Sequence, residues 1–96
     1  MSKLQERKVK LTINAEGLLC PLPVLKLRKA LKKCKDGDIV KLIASDPAAS
    51  IDVPHFCIES GNKFIDDKVE KNFLDATLGD EDVFLWSYYI EKKTKE

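Results

Sequence analysis

At 96 residues, 44% of them hydrophobic and 34% charged, the chain has the size and composition of a single globular domain with a modest core. Seventeen basic residues against sixteen acidic ones leave a net charge of +1, which excludes a globally basic binder of nucleic acid or of anionic membrane. The longest apolar run, Leu18 to Leu25, is broken by two prolines and falls far short of the ~20 residues that span a bilayer. Met1 to Lys10 is charged with no apolar segment behind it, so no export signal is read and a cytoplasmic location is expected.

Residues 1–7 read as a frayed, charged end. Lys8 to Asn14 alternates, with Val9, Leu11 and Ile13 on one face and Lys8, Lys10 and Thr12 on the other, as a half-buried strand does. Asn14 to Leu19 is a turn. A helix follows from about Pro21 or Leu22 to Lys35, because Val24, Leu27, Leu31 and Cys34 recur at helical spacing. Asp36-Gly37-Asp38 ends it, and Ile39 to Ala44, apolar on both faces, reads as a central second strand. Strand, helix and strand in this order predict a βαβ unit with parallel strands and a right-handed crossover.

Ser45-Asp46-Pro47 offers a capping side chain and a first-turn proline, so a second helix is expected over roughly Ala48 to Glu59, ending at Ser60-Gly61-Asn62. Pro54 conflicts with a straight helix. Either the helix kinks there or a turn precedes a helix starting near Val53, and the kinked helix is preferred. Asn62 to Val69 reads as a third strand with Phe64 or Ile65 facing in. Asp66 to Asp82 carries the weakest pattern: Phe73, Leu74 and Leu78 suggest packing, as a strand extension or a short helical turn, and Gly79-Asp80-Glu81-Asp82 reads as a turn. Val83 to Glu91 is the last strand, with Phe84, Trp86, Tyr88 and Ile90 alternating with Leu85, Ser87 and Tyr89. Residues 92–96 read as a charged tail. The order β-α-β-α-β-β predicts one α+β domain over residues 1–96: a two-layer sandwich with two helices on one face of a four-stranded mixed sheet.

The stretch that carries chemistry is Gly17-Leu18-Leu19-Cys20-Pro21-Leu22-Pro23. Pro21 and Pro23 lack backbone donors and have φ fixed near about −65°, which suits helix entry. Cys20 then stands at the helix start, where free N–H groups and the dipole favour a thiolate. A reactive, sulfur-handling cysteine is one reading; a small apolar residue closing a turn is the other. Cys34 falls on the apolar stripe of the first helix and Cys57 lies between Phe56 and Ile58, so both read as core. Three cysteines without a C-x-x-C argue against a disulfide framework. Zinc held by Cys20, Cys34, His55 and Cys57 lacks the two spaced ligand pairs of a structural site and is not expected.

Gly17-Leu18-x-Cys20-Pro21-x-Pro23, with the basic helix after it, resembles the signature of TusA-like (SirA-like) sulfur carrier proteins. The similarity continues in Lys35-Asp36-Gly37-Asp38, in Asp46-Pro47-Ala48 and in Asp52-Val53-Pro54-x-Phe56-Cys57, so it covers about Asn14 to Asn62. The resemblance implies the same two-layer sandwich, and it implies that Cys20 carries sulfane sulfur as a persulfide. It implies two protein partners: a donor such as a PLP-dependent cysteine desulfurase, and an acceptor protein. The carrier then has no cofactor of its own, since the PLP belongs to the donor, and in the thiouridine relay it does not itself modify tRNA. In the same scheme Gly17 and Leu18 present the loop, Pro21 and Pro23 stiffen the helix start, and Lys26 and Arg28 add positive potential or dock a partner.

The sequence departs from that family at several places. Asn14 stands where Asp is common, Leu22 where the best-characterised carriers have an acidic residue, and Ile51 where many members have a basic one. The stretch after Val69 is also longer. These changes leave the sulfur chemistry intact and bear on partner choice. Two other classes stand behind the carrier. A non-catalytic interaction or regulatory module would not need a competent Cys20. An RNA-binding module is the third, because the sandwich resembles the C-terminal domain of a bacterial translation initiation factor. The balanced charge and the lack of interleaved basic and aromatic residues on one strand stand against it. A monomer is expected, with no direct nucleic-acid or membrane partner.

Overall fold

Ile39–Ala44 takes an inner place in the sheet, with Val40, Leu42 and Ala44 buried and Lys41 and Ile43 partly buried on the other face. The structure is a computed structural model and describes residues 9–71 and 84–93. The elements in chain order are β1 (Val9–Ala15), α1 (Leu22–Leu31), β2 (Ile39–Ala44), α2 (Ala49–Ser60), β3 (Lys63–Lys71) and β4 (Phe84–Glu91). The sheet order is β1-β2-β4-β3, with β1 parallel to β2 and the other two pairings antiparallel. Both helices lie against a four-stranded mixed sheet, the α+β sandwich expected from the sequence.

The core sits between the helices and one sheet face. Leu27 and Leu31 of α1, and Ala49, Val53 and Cys57 of α2, repeat at four-residue spacing and so form one stripe on each helix. They pack on Val40, Leu42 and Ala44 of β2 and on Tyr88 and Ile90 of β4. The expected face of β1 is interrupted. Val9 pairs with Ile39 but Leu11 pairs with Val40, so Lys10 is an extra residue that reverses the alternation. Leu11, Ile13 and Ala15 share the helix-facing side with Val40, Leu42 and Ala44, whereas Val9 turns with Ile39 to the other. A second shift, between Phe64 and Asp66, places Phe64 against the core and Ile65 in the irregularity.

Helix α1 ends at Leu31, earlier than the apolar period predicts. Beyond it Lys33 and Cys34 donate to Ala30 and Leu31, at 3.0 and 3.1 Å, so the last turn tightens to three-residue bonds and still keeps Cys34 buried. Gly37 then adopts φ 93°, and Asp38 Oδ2 accepts the Lys35 N–H at 2.8 Å. The loop is joined to the end of β4 by two bonds of 2.8 Å, Gly37 N–H to Lys92 O and Lys92 N–H to Asp38 O. Lys93 N–H donates to Asn62 Oδ1 at 2.9 Å. Lys92 and Lys93, read above as tail, are therefore hydrogen-bonded at the end of β4.

Helix α2 is one helix running through Pro54, whose missing N–H leaves the Ser50 carbonyl without its helical donor. It ends on Gly61, left-handed at φ 84°, whose N–H donates to Cys57 O at 3.0 Å. Strand β3 continues past Val69 to Lys71. Residues 1–7, Lys8 at the start of the first strand, the readings of Phe73, Leu74, Leu78 and the Gly79 to Asp82 turn, Val83 at the start of the last strand, and residues 94–96 lie outside the described residues. Among the described residues no helix is long and apolar enough to cross a membrane.

Leu27 is fully buried whereas Leu25, on the same helix, is 49% exposed. Leu27→Ala is expected to lower the unfolding free energy by about 2–5 kcal/mol in urea titrations, and Leu25→Ala by under ~1 kcal/mol. Burial pushes the Cys57 thiol up to about 11 from an ordinary 9.0. The folded state thus prefers the neutral thiol; this contribution is complete below the ordinary pKa and is lost as pH climbs through the raised one. The urea midpoint is expected to drop between neutral pH and about pH 11, and to drop less in Cys57→Ala.

Candidate functional site

Because β1 and β2 are parallel, with Ala15 beside Ala44, the loops that leave their C-terminal ends meet at one edge of the sandwich. The first loop turns on Asn14, whose Oδ1 accepts the Glu16 N–H at 2.9 Å, and on Gly17 at φ 84°. The second loop holds the first. Ser45 Oγ accepts the Gly17 N–H at 2.8 Å, and Asp46 Oδ2 accepts the Cys20 N–H at 2.7 Å. Asp46 Oδ1 accepts the Ala48 N–H at 3.0 Å, so the two carboxylate oxygens tie the loop to the entry of α2. These two bonds hold the Asp46 carboxyl below its usual range. Leu18 packs against the core and Pro23 is buried, which anchors both ends of the motif.

Cys20 is exposed, and the other two cysteines are buried. Its peptide bond to Pro21 is cis, and Pro21 is the N-cap of α1. The helix start does not supply the thiolate-stabilising donors expected there. Pro21 and Pro23 have none, and the Leu22 N–H is engaged with Leu19 O at 2.8 Å. The thiol meets carboxylates instead. The Asp52 carboxylate accepts a hydrogen bond from it, and this contact, with partial desolvation and the charges of Asp52 and Asp46, raises the Cys20 pKa. The resting group at neutral pH is therefore a thiol with a proton acceptor already in contact, not a free thiolate.

Cys20 and Asp52 line a cleft of about 260 Å³ between α1 and α2, together with Leu25 and Arg28 on one side and His55, Phe56 and Glu59 on the other. Asp52, His55, Phe56 and Glu59 share one face of α2 by their spacing. His55 Nε2 lies 3.2 Å from Glu59 Oε2. Around this site the exposed residues Leu19 and Leu22 flank Cys20 in the chain, and Ile51, 73% exposed, precedes Asp52.

Of the residues singled out in the sequence, Gly17, Leu18, Cys20, Pro21 and Pro23 form one connected loop and helix entry, and Arg28 reaches the cleft. Lys26 is exposed on α1 but is not among the residues lining the cleft. Cys34 and Cys57 lie in the core while Cys20 and His55 line the cleft, so the four conceivable zinc ligands are dispersed. Among the described residues no cluster of three or more His, Cys, Asp or Glu side chains is placed to hold a metal. Asp46 and Asp52 are the site residues that sequence reasoning missed. Both stand in motif blocks noted above, but only the side-by-side ends of β1 and β2 bring them to Cys20.

Treatment with iodoacetamide at neutral pH is expected to label Cys20 well before Cys34 and Cys57, as read by peptide mass spectrometry. Asp52→Asn removes the charge and weakens the acceptor, so the Cys20 rate–pH profile is expected to move to lower pH, with a several-fold faster reaction at pH 7. An unmoved profile would show that the Asp52 contact does not control the thiol.

The chain matches the family Sulfurtransferase TusA over residues 11–76. It is also similar to a solved SirA-like protein from Desulfitobacterium hafniense, with a TM-score of 0.59 and 19% identity, covering 88% of this chain and 99% of that one. At that identity the likeness concerns the fold, and it agrees with the sandwich described above. The family match spans most of the chain and includes the Cys20 loop, α1, β2 and α2, so this protein belongs to the sulfurtransferase TusA family, whose members suggest a sulfur-carrier role exercised with partner proteins.

Proposed function

We propose that this protein is a sulfur carrier that holds sulfane sulfur as a persulfide on Cys20. The observation that carries the reading is the single exposed cysteine among the described residues, presented at a cleft with a carboxylate in contact, in a chain of the TusA family. In the loading step the Cys20 sulfur attacks the terminal sulfur of the donor's cysteine persulfide. A sulfur–sulfur bond forms, the donor's own sulfur–sulfur bond breaks, and the donor cysteine leaves as a thiolate that takes up a proton. The Cys20 proton passes to solvent as the attack proceeds. In the unloading step an acceptor thiolate attacks the outer sulfur and Cys20 departs with the bonding pair. No external oxidant or reductant is needed, because each step exchanges one thiol and one persulfide.

A raised thiol pKa has two consequences for such an exchange. It lowers the fraction of thiolate at rest, and it raises the nucleophilicity of the thiolate once formed. Asp52 weighs on the first of these, holding the thiol protonated between encounters. The donor in this reading is a cysteine desulfurase or another persulfide protein, and the acceptor a protein of a sulfur relay such as tRNA thiolation. The PLP stays with the donor, and the carrier works as a monomer in a reducing, cytoplasmic setting.

Incubation with a cysteine desulfurase and cysteine is expected to add one sulfur atom to the intact mass of the wild-type protein. Dithiothreitol removes it, and Cys20→Ala gains none. A mass gain in Cys20→Ala equal to wild type would sink the reading, as would no gain in wild type with any persulfide donor.

A further inference from the structure

A second depression adjoins the Cys20 cleft. Arg28 and Phe56 line both, so the two form one groove along the seam between α1 and α2. At the far end stand Lys32, Lys92 and Lys93, with Ser60 and Asn62 beside them, and Arg28 stands where the two depressions meet. This end is built by backbone hydrogen bonds, from Lys92 N–H to Asp38 O at 2.8 Å and from Lys93 N–H to Asn62 Oδ1 at 2.9 Å. One of its charges is compensated, since Lys93 Nζ lies 3.2 Å from Glu91 Oε2. The Cys20 end is acidic: Asp52 contacts the thiol, Asp46 holds its backbone, and Glu59 lies on the cleft with His55. Between the two ends the lining is apolar, from Val24, Leu25 and Phe56. The groove is bipolar, with carboxylates beside the thiol and cations at the other end.

We propose that this groove receives an extended segment of the partner protein that exchanges sulfur, in which a basic residue neighbours the reactive cysteine and an acidic residue stands three to five positions away. The inference rests on the carrier reading above and adds the chemistry of the partner. The spacing follows from geometry. A helix rises about 1.5 Å per residue, so Arg28 and Lys32 lie roughly 10 to 17 Å along α1 from Pro21. An extended chain covers about 3.3 Å per residue, which makes that span about three to five residues. The charges decide the class of occupant. A polynucleotide laid along the groove would bring phosphates against Asp52 and Glu59, whereas a polypeptide can match both ends. The basic residue of the segment pairs with Asp52 and draws its charge away from the thiol, so docking and release of the Cys20 proton coincide.

The test uses the full chain and short synthetic peptides whose single cysteine is capped as a 2-thiopyridyl disulfide. The Cys20 sulfur attacks the peptide sulfur, a Cys20–peptide disulfide forms, and thiopyridone leaves with the bonding pair and is read by its absorbance. Matched peptides carry Lys beside the cysteine and Glu four positions away, in either chain direction; mirror peptides exchange the Lys and the Glu. Rates are normalised to those of glutathione with the same peptides, and intact mass with digestion assigns the adduct to Cys20. One matched direction is expected to react at least about tenfold faster than its mirror at low salt, an advantage that shrinks to under about threefold in 0.5 M salt. The same collapse is expected in Lys32→Glu and in Lys92→Glu, made separately. Equal rates for matched and mirror peptides, an advantage that survives either charge reversal, or single-stranded RNA competing more strongly than an uncapped matched peptide would each overturn the proposal. The outcome is separable from that of the carrier reading. A protein that discriminates the peptides but gains no sulfur from a desulfurase keeps the groove and loses the carrier, and the reverse result loses the groove alone.

Discussion

The Asp46 carboxylate is the constraint on which the rest of the site depends. Its two oxygens accept the N–H groups of Cys20 and Ala48, at 2.7 and 3.0 Å, and so join the loop after β1 to the first turn of α2. Charge-assisted bonds of this kind are short and strong for their class. They fix the backbone on which the thiol is carried while leaving the thiol itself exposed. The Ser45 hydroxyl, which accepts the Gly17 N–H, extends the same hold to the far side of the loop. The core stripes of α1 and α2 support the arrangement from below, through Leu27, Leu31, Val53 and Cys57.

The electrostatic character of the site follows from that geometry and runs opposite to a simple helix-terminus argument. A helix start normally presents free donors to an anion. Here the two prolines that shape the helix entry also remove donors, and a turn bond occupies the N–H of Leu22. The nearest charges to Cys20 are the carboxylates of Asp52 and Asp46, and they favour the protonated thiol. A carrier has reason to keep such a thiol quiet between encounters, since a permanent exposed thiolate reacts with any electrophile. The bipolar groove then provides a place where a partner's charge releases that restraint.

The family departures noted in the sequence acquire definite positions. Asn14 closes a turn through its side-chain oxygen, a role in which Asp and Asn are equivalent acceptors. Leu22 and Ile51 are both exposed, at 47% and 73%, one beside Cys20 on α1 and the other beside Asp52 on α2. Apolar side chains thus stand at the surface next to the reactive group and contribute nothing to the core.

The order of elements, the parallel first pair, the core positions of Cys34 and Cys57, and Cys20 as the reactive candidate were all legible in the sequence. Each follows from local signals: a period of two or of about 3.6, turn residues, and prolines on either side of a cysteine. Three things were decided only by the tertiary structure. The extra residue Lys10 reversed the face of Val9, because register depends on the partner strand and not on the strand's own alternation. Helix α1 closed early at Leu31, where the three-residue bonds of Lys33 and Cys34 replace the helical ones before the Gly37–Asp38 loop bonds to Lys92. Above all, Asp46 and Asp52 came to Cys20 across a separation of 26 residues or more, so that the state of the thiol is set by contacts between loops. The sequence by itself determined which cysteine is presented; which charges face it was settled by the side-by-side ends of two parallel strands, since a carboxylate acts through distance in space and not along the chain.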